Sequence, residues 1–150
     1  MDDGVKMIET KQYKKCKNIA NEAHKGQARW DNTPYITHPL AVASKFTDEK
    51  LKCIAILHDV IEDTKHTKES LLAEGIHHNI INVVVTLSKQ YNESYKEFIL
   101  RICETKPAIL VKIEDIRHNM LDLRKYQKID KRDKYELALI ILEDALNNFD

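Results

Sequence analysis

The sequence predicts an all-α fold, and three observations carry that expectation. Among 150 residues there are only three glycines and three prolines, whereas Ala, Leu, Ile, Lys and Glu are abundant, a balance that favours long helices over a turn-rich β architecture. Apolar residues recur at three- and four-residue steps, the repeat of a helix with one buried face. Residues that start or stop helices fall between these stretches: Asp48, Thr67 and Ser94 as caps, Pro39 and Pro107 in first turns, Gly26 and Gly75 after last turns. The length suits one domain over residues 1–150, with room for a proper core.

The first helix is expected over about residues 5–25, where Val5, Ile8, Cys16, Ile19, Ala20 and Ala23 share mostly helical spacing before Gly26. Residues 26–37 hold Gly, Asn and Pro beside Arg29 and Trp30 and read as a loop. Pro39 opens the next helix, which carries Leu40, Ala41, Val42, Ala43 and Phe46 and ends near Thr47. Asp48 caps a third, expected to run through Leu51, Ile54, Ala55 and Leu57 as far as Asp63. Thr67 caps a short helix with Leu71 and Leu72, stopped by Gly75. Residues 76–87 include Val83, Val84 and Val85, a run with strand propensity. Ile76, Ile80, Val83, Val84 and Leu87 nevertheless fit one helical face, so helix is expected there too. Ser94 and Glu97 form a capping-box pair ahead of Tyr95, Phe98, Ile99 and Ile102. A helix opened by Pro107 runs through Ile109, Ile113 and Met120, and Asp130 with Asp133 precedes a last amphipathic helix reaching Phe149.

Composition also excludes. Lys plus Arg equals Asp plus Glu at 24 each, so no excess of positive charge supports a broad nucleic-acid-binding surface. Cys16, Cys53 and Cys103 are odd in number and widely spaced, which argues against a disulfide framework or a zinc ribbon and for buried thiols in a reducing cytosol. The first residues lack the apolar core of a signal peptide, and no stretch approaches a membrane span. A cytoplasmic protein with no membrane partner is expected.

The chemistry is concentrated in His58-Asp59-Val60-Ile61-Glu62-Asp63. Continuing the apolar stripe of Leu51, Ile54 and Ala55 reaches His58, Asp59 and Glu62, with Asp63 alongside, so four polar side chains stand where hydrophobes are called for. Carboxylates buried without partners are costly, and a metal ion is the simplest compensation. His58 and Asp59 can reach a common ion; Glu62 and Asp63, one turn further on, are placed to handle the attacking water. The plain alternative is a solvated acidic helix end with a capping histidine.

Two further ligands are nominated: His38, directly before Pro39, and Asp115, with Lys112 and Asn119 three and four residues away on its face. A capping histidine and a surface aspartate with a nearby lysine are the commoner roles for such residues. Two imidazoles and two carboxylates suit Mn²⁺, Fe²⁺ or Zn²⁺, and hydrolysis is the natural chemistry. Arg29, Lys25, Lys112 and Arg117 could contact an anionic substrate.

Four ordered blocks extend this reading. Ala23-His24-Lys25-Gly26-Gln27-Ala28-Arg29, Pro34-Tyr35-Ile36-Thr37-His38-Pro39-Leu40-Ala41-Val42-Ala43, Leu57-His58-Asp59-Val60-Ile61-Glu62-Asp63-Thr64, and Lys112-Ile113-Glu114-Asp115 with His118-Asn119-Met120 resemble the hydrolase domain of RelA/SpoT-type alarmone enzymes. The resemblance spans roughly residues 20–125 and implies an HD-fold helical bundle, in a stand-alone small alarmone hydrolase. It implies one metal ion, usually Mn²⁺, on His38, His58, Asp59 and Asp115, with Glu62 and Asp63 in water activation and Arg29 and Asn119 contacting the nucleotide. The implied reaction removes pyrophosphate from the 3′ position of ppGpp or pppGpp, yielding GDP or GTP.

The chain departs from that pattern at substrate positions. Trp30 stands where the family commonly has a lysine, which replaces a phosphate partner with a stacking surface. Ile116 stands where a basic residue often follows the metal-binding aspartate, with Arg117 one position later, and Asp122 adds an acidic group near Asn119. Two competing functions follow: hydrolysis of another phosphorylated nucleotide or of a dinucleotide such as NADPH, and a catalytically idle nucleotide-binding domain.

Overall fold

The computed structural model describes the backbone of residues 9–126 and 131–149, and the side chains of that range outside 122–126. Among these residues nine α-helices follow one another: α1 (Lys11–Ala23), α2 (Thr37–Ala43), α3 (Glu49–Leu57), α4 (Val60–Asp63), α5 (Lys68–Ala73), α6 (His78–Thr86), α7 (Tyr95–Ile102), α8 (Lys106–Tyr126) and α9 (Arg132–Asn147). The described residues form no strand, only an isolated antiparallel bridge between Ala28 and Pro34. None of their helices is long and apolar enough to cross a membrane. Val5, Ile8, Asp130 and the side chain of Asp122, all singled out in the sequence, lie outside the described residues.

α3 is the axis of the bundle. Cys53, Ile54, Ala55, Ile56 and Leu57 are five successive residues with no exposed surface, a pattern that a one-sided stripe does not produce. α1 and α2 pack along α3, and α6 and α8 close its remaining sides. The surrounding core is supplied by Cys16, Ile19 and Ala20 of α1, Ile80, Ile81 and Val84 of α6, and Ile109, Ile113 and Ile116 of α8. Burial on this scale contributes about 25 cal/mol per Å² of apolar surface. It also fixes where the C-terminal end of α3 points.

Local chemistry sets the helix ends. Thr10 Oγ1 accepts the Tyr13 N–H at 3.1 Å and Asp48 Oδ2 accepts that of Leu51 at 2.9 Å. Thr67 with Ser70, and Ser94 with Glu97, close reciprocal capping boxes. α2 begins at Thr37, which puts Pro39 inside its first turn, and it ends at Ala43, short of Phe46 and Thr47. The His77 ring caps α6 by accepting the Asn79 N–H at 3.1 Å, and the valines of this segment are helical.

One expectation is corrected. The third helix does not continue to Asp63: α3 stops at Leu57, Asp59 takes φ −103° and ψ 0°, and α4 starts afresh at Val60. The His58 N–H bonds back to the Ala55 carbonyl at 3.3 Å, and the His58 ring Nδ1 takes the same oxygen at 2.6 Å. A side chain that occupies a helical carbonyl in this way competes with continuation of the helix. The polar quartet is therefore split, with His58 buried at the end of α3 and Glu62 and Asp63 exposed on α4.

Arg101 of α7 fastens the connection between α6 and α7. Its guanidinium donates to Glu93 Oε2 at 2.7 Å and Oε1 at 3.0 Å, and to the Thr86 and Ser88 carbonyls at 2.9 and 3.0 Å. The Arg101 hydrogen bonds hold the Glu93 carboxyl down at about 2. Arg101→Ala removes four hydrogen bonds at once, and a loss of about 1–3 kcal/mol is expected. Denaturant unfolding reads it as a lower midpoint at unchanged slope, and an unmoved midpoint would remove the clamp from the account.

Candidate metal centre

Three segments converge on one buried cluster. α2 brings His38 in its first turn, the end of α3 brings His58, and the middle of α8 brings Asp115, while Asp59, in the break between α3 and α4, stands partly exposed at the edge of this group. His38, His58 and Asp115 are 2%, 2% and 4% exposed, and their ligand-type atoms all lie within 4.8 Å of one another. His38 Nε2 is 2.8 Å from Asp115 Oδ1, and His58 Nε2 is 3.4 Å from that same oxygen and 2.9 Å from Asp59 Oδ2.

His58 is the diagnostic member. Its Nδ1 is taken by the Ala55 carbonyl, which accepts and so requires the ring proton to be there. When the ring is neutral, as a metal ligand must be, the other nitrogen, Nε2, carries the lone pair. Despite its nearness to two carboxylates it makes no hydrogen bond of acceptable direction in the structure. A buried nitrogen lone pair facing carboxylate oxygens is a poor hydrogen-bonding arrangement and a good cation site. The spacing agrees: ligands ~2.1 Å from an ion stand about 3.0 Å apart at right angles and about 3.4 Å apart at tetrahedral ones. The donor set of imidazoles and carboxylates fits a divalent first-row metal.

The surroundings hold these groups in place. Lys112 Nζ is 2.9 Å from Asp115 Oδ2 and lies 5.0 Å over the Phe98 ring, while Asn119 Nδ2 donates to Asp115 Oδ1 at 3.3 Å. The Tyr35 hydroxyl donates to Asp59 Oδ2. The Tyr35 ring packs against His24 at 4.9 Å, tilted by 46°, His24 Nδ1 meets Gln27 Oε1 at 2.8 Å, and Gln27 Nε2 donates to the Asp63 carbonyl at 3.0 Å. The segment between α1 and α2 is thus tied to both sides of the break.

Electrostatics reflects the crowding of charge. Burial alone would raise the carboxyls of Asp115 and Asp59, but Lys112 and His58 hold Asp115 well below the usual range, and His58 holds Asp59 at about 2. Burial would lower His58, yet Asp59 and Asp115 carry it upward. Asp63, at the rim, goes the other way: partial withdrawal from water, then the charges of Asp59 and Glu62, raise its carboxyl to about 6. Glu62 Oε1 accepts the Lys89 N–H at 2.8 Å, which pins α4 against the end of α6. Ala23, Gln27, Asp63, Thr64 and His66 line a cleft of about 530 Å³ beside it.

The other residues nominated in the sequence fall around this cluster. Lys112 points inward onto Asp115, and Asn119 sits on the same carboxylate. Lys25 is exposed just after α1, and Arg29 is half-buried in a tight loop where Asn32 adopts φ 72° and the Arg29 N–H meets the Thr33 carbonyl at 2.8 Å. Trp30, in that loop, is 41% exposed. Ile116 is fully buried, and Arg117 pairs with Glu114 at 2.9 Å and Glu143 at 3.0 Å. Sequence reasoning passed over Tyr35, His24, Gln27 and His118. For His118 a signal existed, since it follows Asp115 by three residues and so shares its face.

No family model matches the chain. It is 36% identical over 129 residues to a guanosine-3′,5′-bis(diphosphate) 3′-pyrophosphohydrolase of Haemophilus influenzae, covering 76% of this chain and 19% of that protein. To the bifunctional (p)ppGpp synthase/hydrolase SpoT of Escherichia coli it is 35% identical over 129 residues, 76% of this chain and 18% of the relative. The chain thus spans about a fifth of the length of these curated relatives. A solved structure of a metazoan orthologue of SpoT, described as hydrolysing ppGpp and acting in starvation responses, superposes with a TM-score of 0.75 at 24% identity over 95% of this chain and 89% of the other. That likeness carries the fold, an all-α bundle of the HD type.

The raised Asp63 carboxyl makes a stability prediction for the metal-free protein. A carboxyl at about 6 folded and near 3.8 unfolded binds its proton more readily in the folded state. Its contribution therefore weakens folding as pH rises from about 4 to 6, and the penalty stays in full above that. Asp63→Asn should raise the thermal midpoint at about pH 7 and leave it unchanged at about pH 3.5. Equal midpoints at both pH values would contradict the assigned environment.

Proposed function

We propose that this chain, which belongs to the RelA/SpoT-homologue superfamily, is a metal-dependent pyrophosphohydrolase, a single domain over residues 1–150, that removes pyrophosphate from the 3′ position of ppGpp or pppGpp to leave GDP or GTP. The observation that carries this reading is the buried His38, His58 and Asp115 cluster with the unpartnered Nε2 of His58 turned into it. His38, His58, Asp59 and Asp115 would hold one divalent ion, Mn²⁺ in this reading. When bound, such an ion makes water a better nucleophile and stabilises charge that develops on phosphate oxygens.

The remaining roles belong to the chain. Asp63, a carboxylate partly withdrawn from water at the rim of the cluster, takes the proton of the water that attacks the 3′ phosphorus and releases it afterwards. Glu62, anchored by the Lys89 amide, orients that water from the same short helix. Lys112 neutralises Asp115 from its Oδ2 side, so that Oδ1 faces His38 and His58. Arg29 and Lys25 offer cations to the phosphates from the loop between α1 and α2, and Asn119 adds a polar contact to the nucleotide.

A second reading rests on Trp30 and Ile116. The first is an exposed indole and the second a buried aliphatic where the family commonly carries cations, and Arg117 is engaged towards α9. A substrate with fewer phosphates or with another ring to stack, such as a dinucleotide of the NADPH kind, suits that surface better.

Purified protein with Mn²⁺, assayed against an equal panel of alarmones, nucleoside phosphates and NADPH, separates the two. Selective release of pyrophosphate from alarmones is expected; turnover of another member with none of alarmones would sink the leading reading. Trp30→Lys should improve alarmone use if the missing cation matters. Glu62→Gln and Asp63→Asn should each lower kcat by about 10²–10⁴ while Mn²⁺ affinity stays near that of the parent. Wild-type turnover in both variants would remove them from the chemistry.

A further inference from the structure

His118 lies outside the proposed ligand set, yet its Nδ1 is 2.7 Å from Nδ1 of His38, with ring centroids 4.9 Å apart and planes inclined by 29°, so that the rings meet edge to edge. Two ring nitrogens at that separation share one proton, so one ring donates and the other accepts. The choice decides what His38 can do. If His118 donates, a neutral His38 carries its proton on Nε2, where it faces Asp115 Oδ1 at 2.8 Å and covers the lone pair an ion needs. If His38 donates, its Nε2 is available to the cluster without any shift between ring nitrogens.

An ion held by Nε2 of His38 selects the second arrangement, because a neutral imidazole that gives up that lone pair carries its proton on Nδ1, where His118 Nδ1 is 2.7 Å away. His58, the neighbouring imidazole, is built the same way, with Nδ1 committed to an acceptor and Nε2 turned into the cluster. The backbone supports this geometry, because His118 and Asp115 stand three residues apart on one face of α8.

We propose that His118 is a positioning residue: it accepts the Nδ1 proton of His38 and so presents His38 Nε2 to the ion. This role rests on the metal-centre reading above. Groups that orient a metal-binding histidine in this way are worth about 10–100-fold in metal affinity.

The test uses the full chain and Mn²⁺ as the probe. His118→Phe keeps an aromatic ring but supplies no acceptor, and its Mn²⁺ affinity measured by calorimetry should fall about tenfold or more. His118→Asn places an amide oxygen near the lost nitrogen and should return affinity to within about threefold of the parent, a rescue that a packing role would not produce. With Zn²⁺ bound as a diamagnetic stand-in for Mn²⁺, ¹⁵N spectra should find the proton on Nδ1 of His38. Parental affinity in His118→Phe, equal loss in both variants, or a proton on Nδ1 of His118 instead would each overturn the role. If His118→Phe fails to fold, the Asn variant and the ¹⁵N assignment still decide. Loss of binding in His38→Ala with intact binding in His118→Phe would sink this role alone, whereas a parent chain that binds no Mn²⁺ would take the metal centre with it.

Discussion

Much of this molecule hangs on the carbonyl of Ala55. That one oxygen receives both the backbone N–H of His58 and the Nδ1 proton of its ring. The double use ends α3, fixes the tautomer of His58, and lets the chain turn so that Asp59 follows at a different angle. None of this would be reproducible from molecule to molecule if α3 could slide. Five successive fully buried residues, packed on four sides by other helices, prevent it. The core and the site are therefore one construction, in which apolar packing supplies the rigidity that a coordinating group needs.

The charges around this point are largely paired within the empty protein. Two carboxylates, two imidazoles and the ammonium of Lys112 are gathered in a region almost closed to water. Lys112 and His58 keep Asp115 and Asp59 ionised, and Asp63 at the rim is the exception, raised by partial withdrawal from water and then by Asp59 and Glu62. A carboxyl displaced in that direction is common where a protein is organised for chemistry rather than for maximal stability.

Legibility in the sequence followed the range of the interaction. Caps and helix starts at Asp48, Thr67, Ser94 and Pro107 rest on contacts within four residues, and they were readable where they stand. The break after Leu57 was not, because helical periodicity continues through it; only the ring of His58 reaching back three residues betrays it. The meeting of His38 with Asp115, 77 residues apart, depends on how α2 and α8 pack, which no local pattern encodes. Lys112 and Asn119 were correctly placed on the face of Asp115, but the spacing alone left open whether that face looks to solvent or to the interior.

The loop between α1 and α2 has two fixed points and a tip. Gln27 is tied to the backbone of Asp63 and Tyr35 to the carboxylate of Asp59, while Arg29, Trp30, Asp31 and Asn32 lie between them, bridled at the base by Ala28 and Pro34. In engineering terms the tip is a cantilever clamped at its root. Its two anchors lie on Asp59 and Asp63, the two ends of α4, so any change in the angle of that short helix is transmitted to the tip.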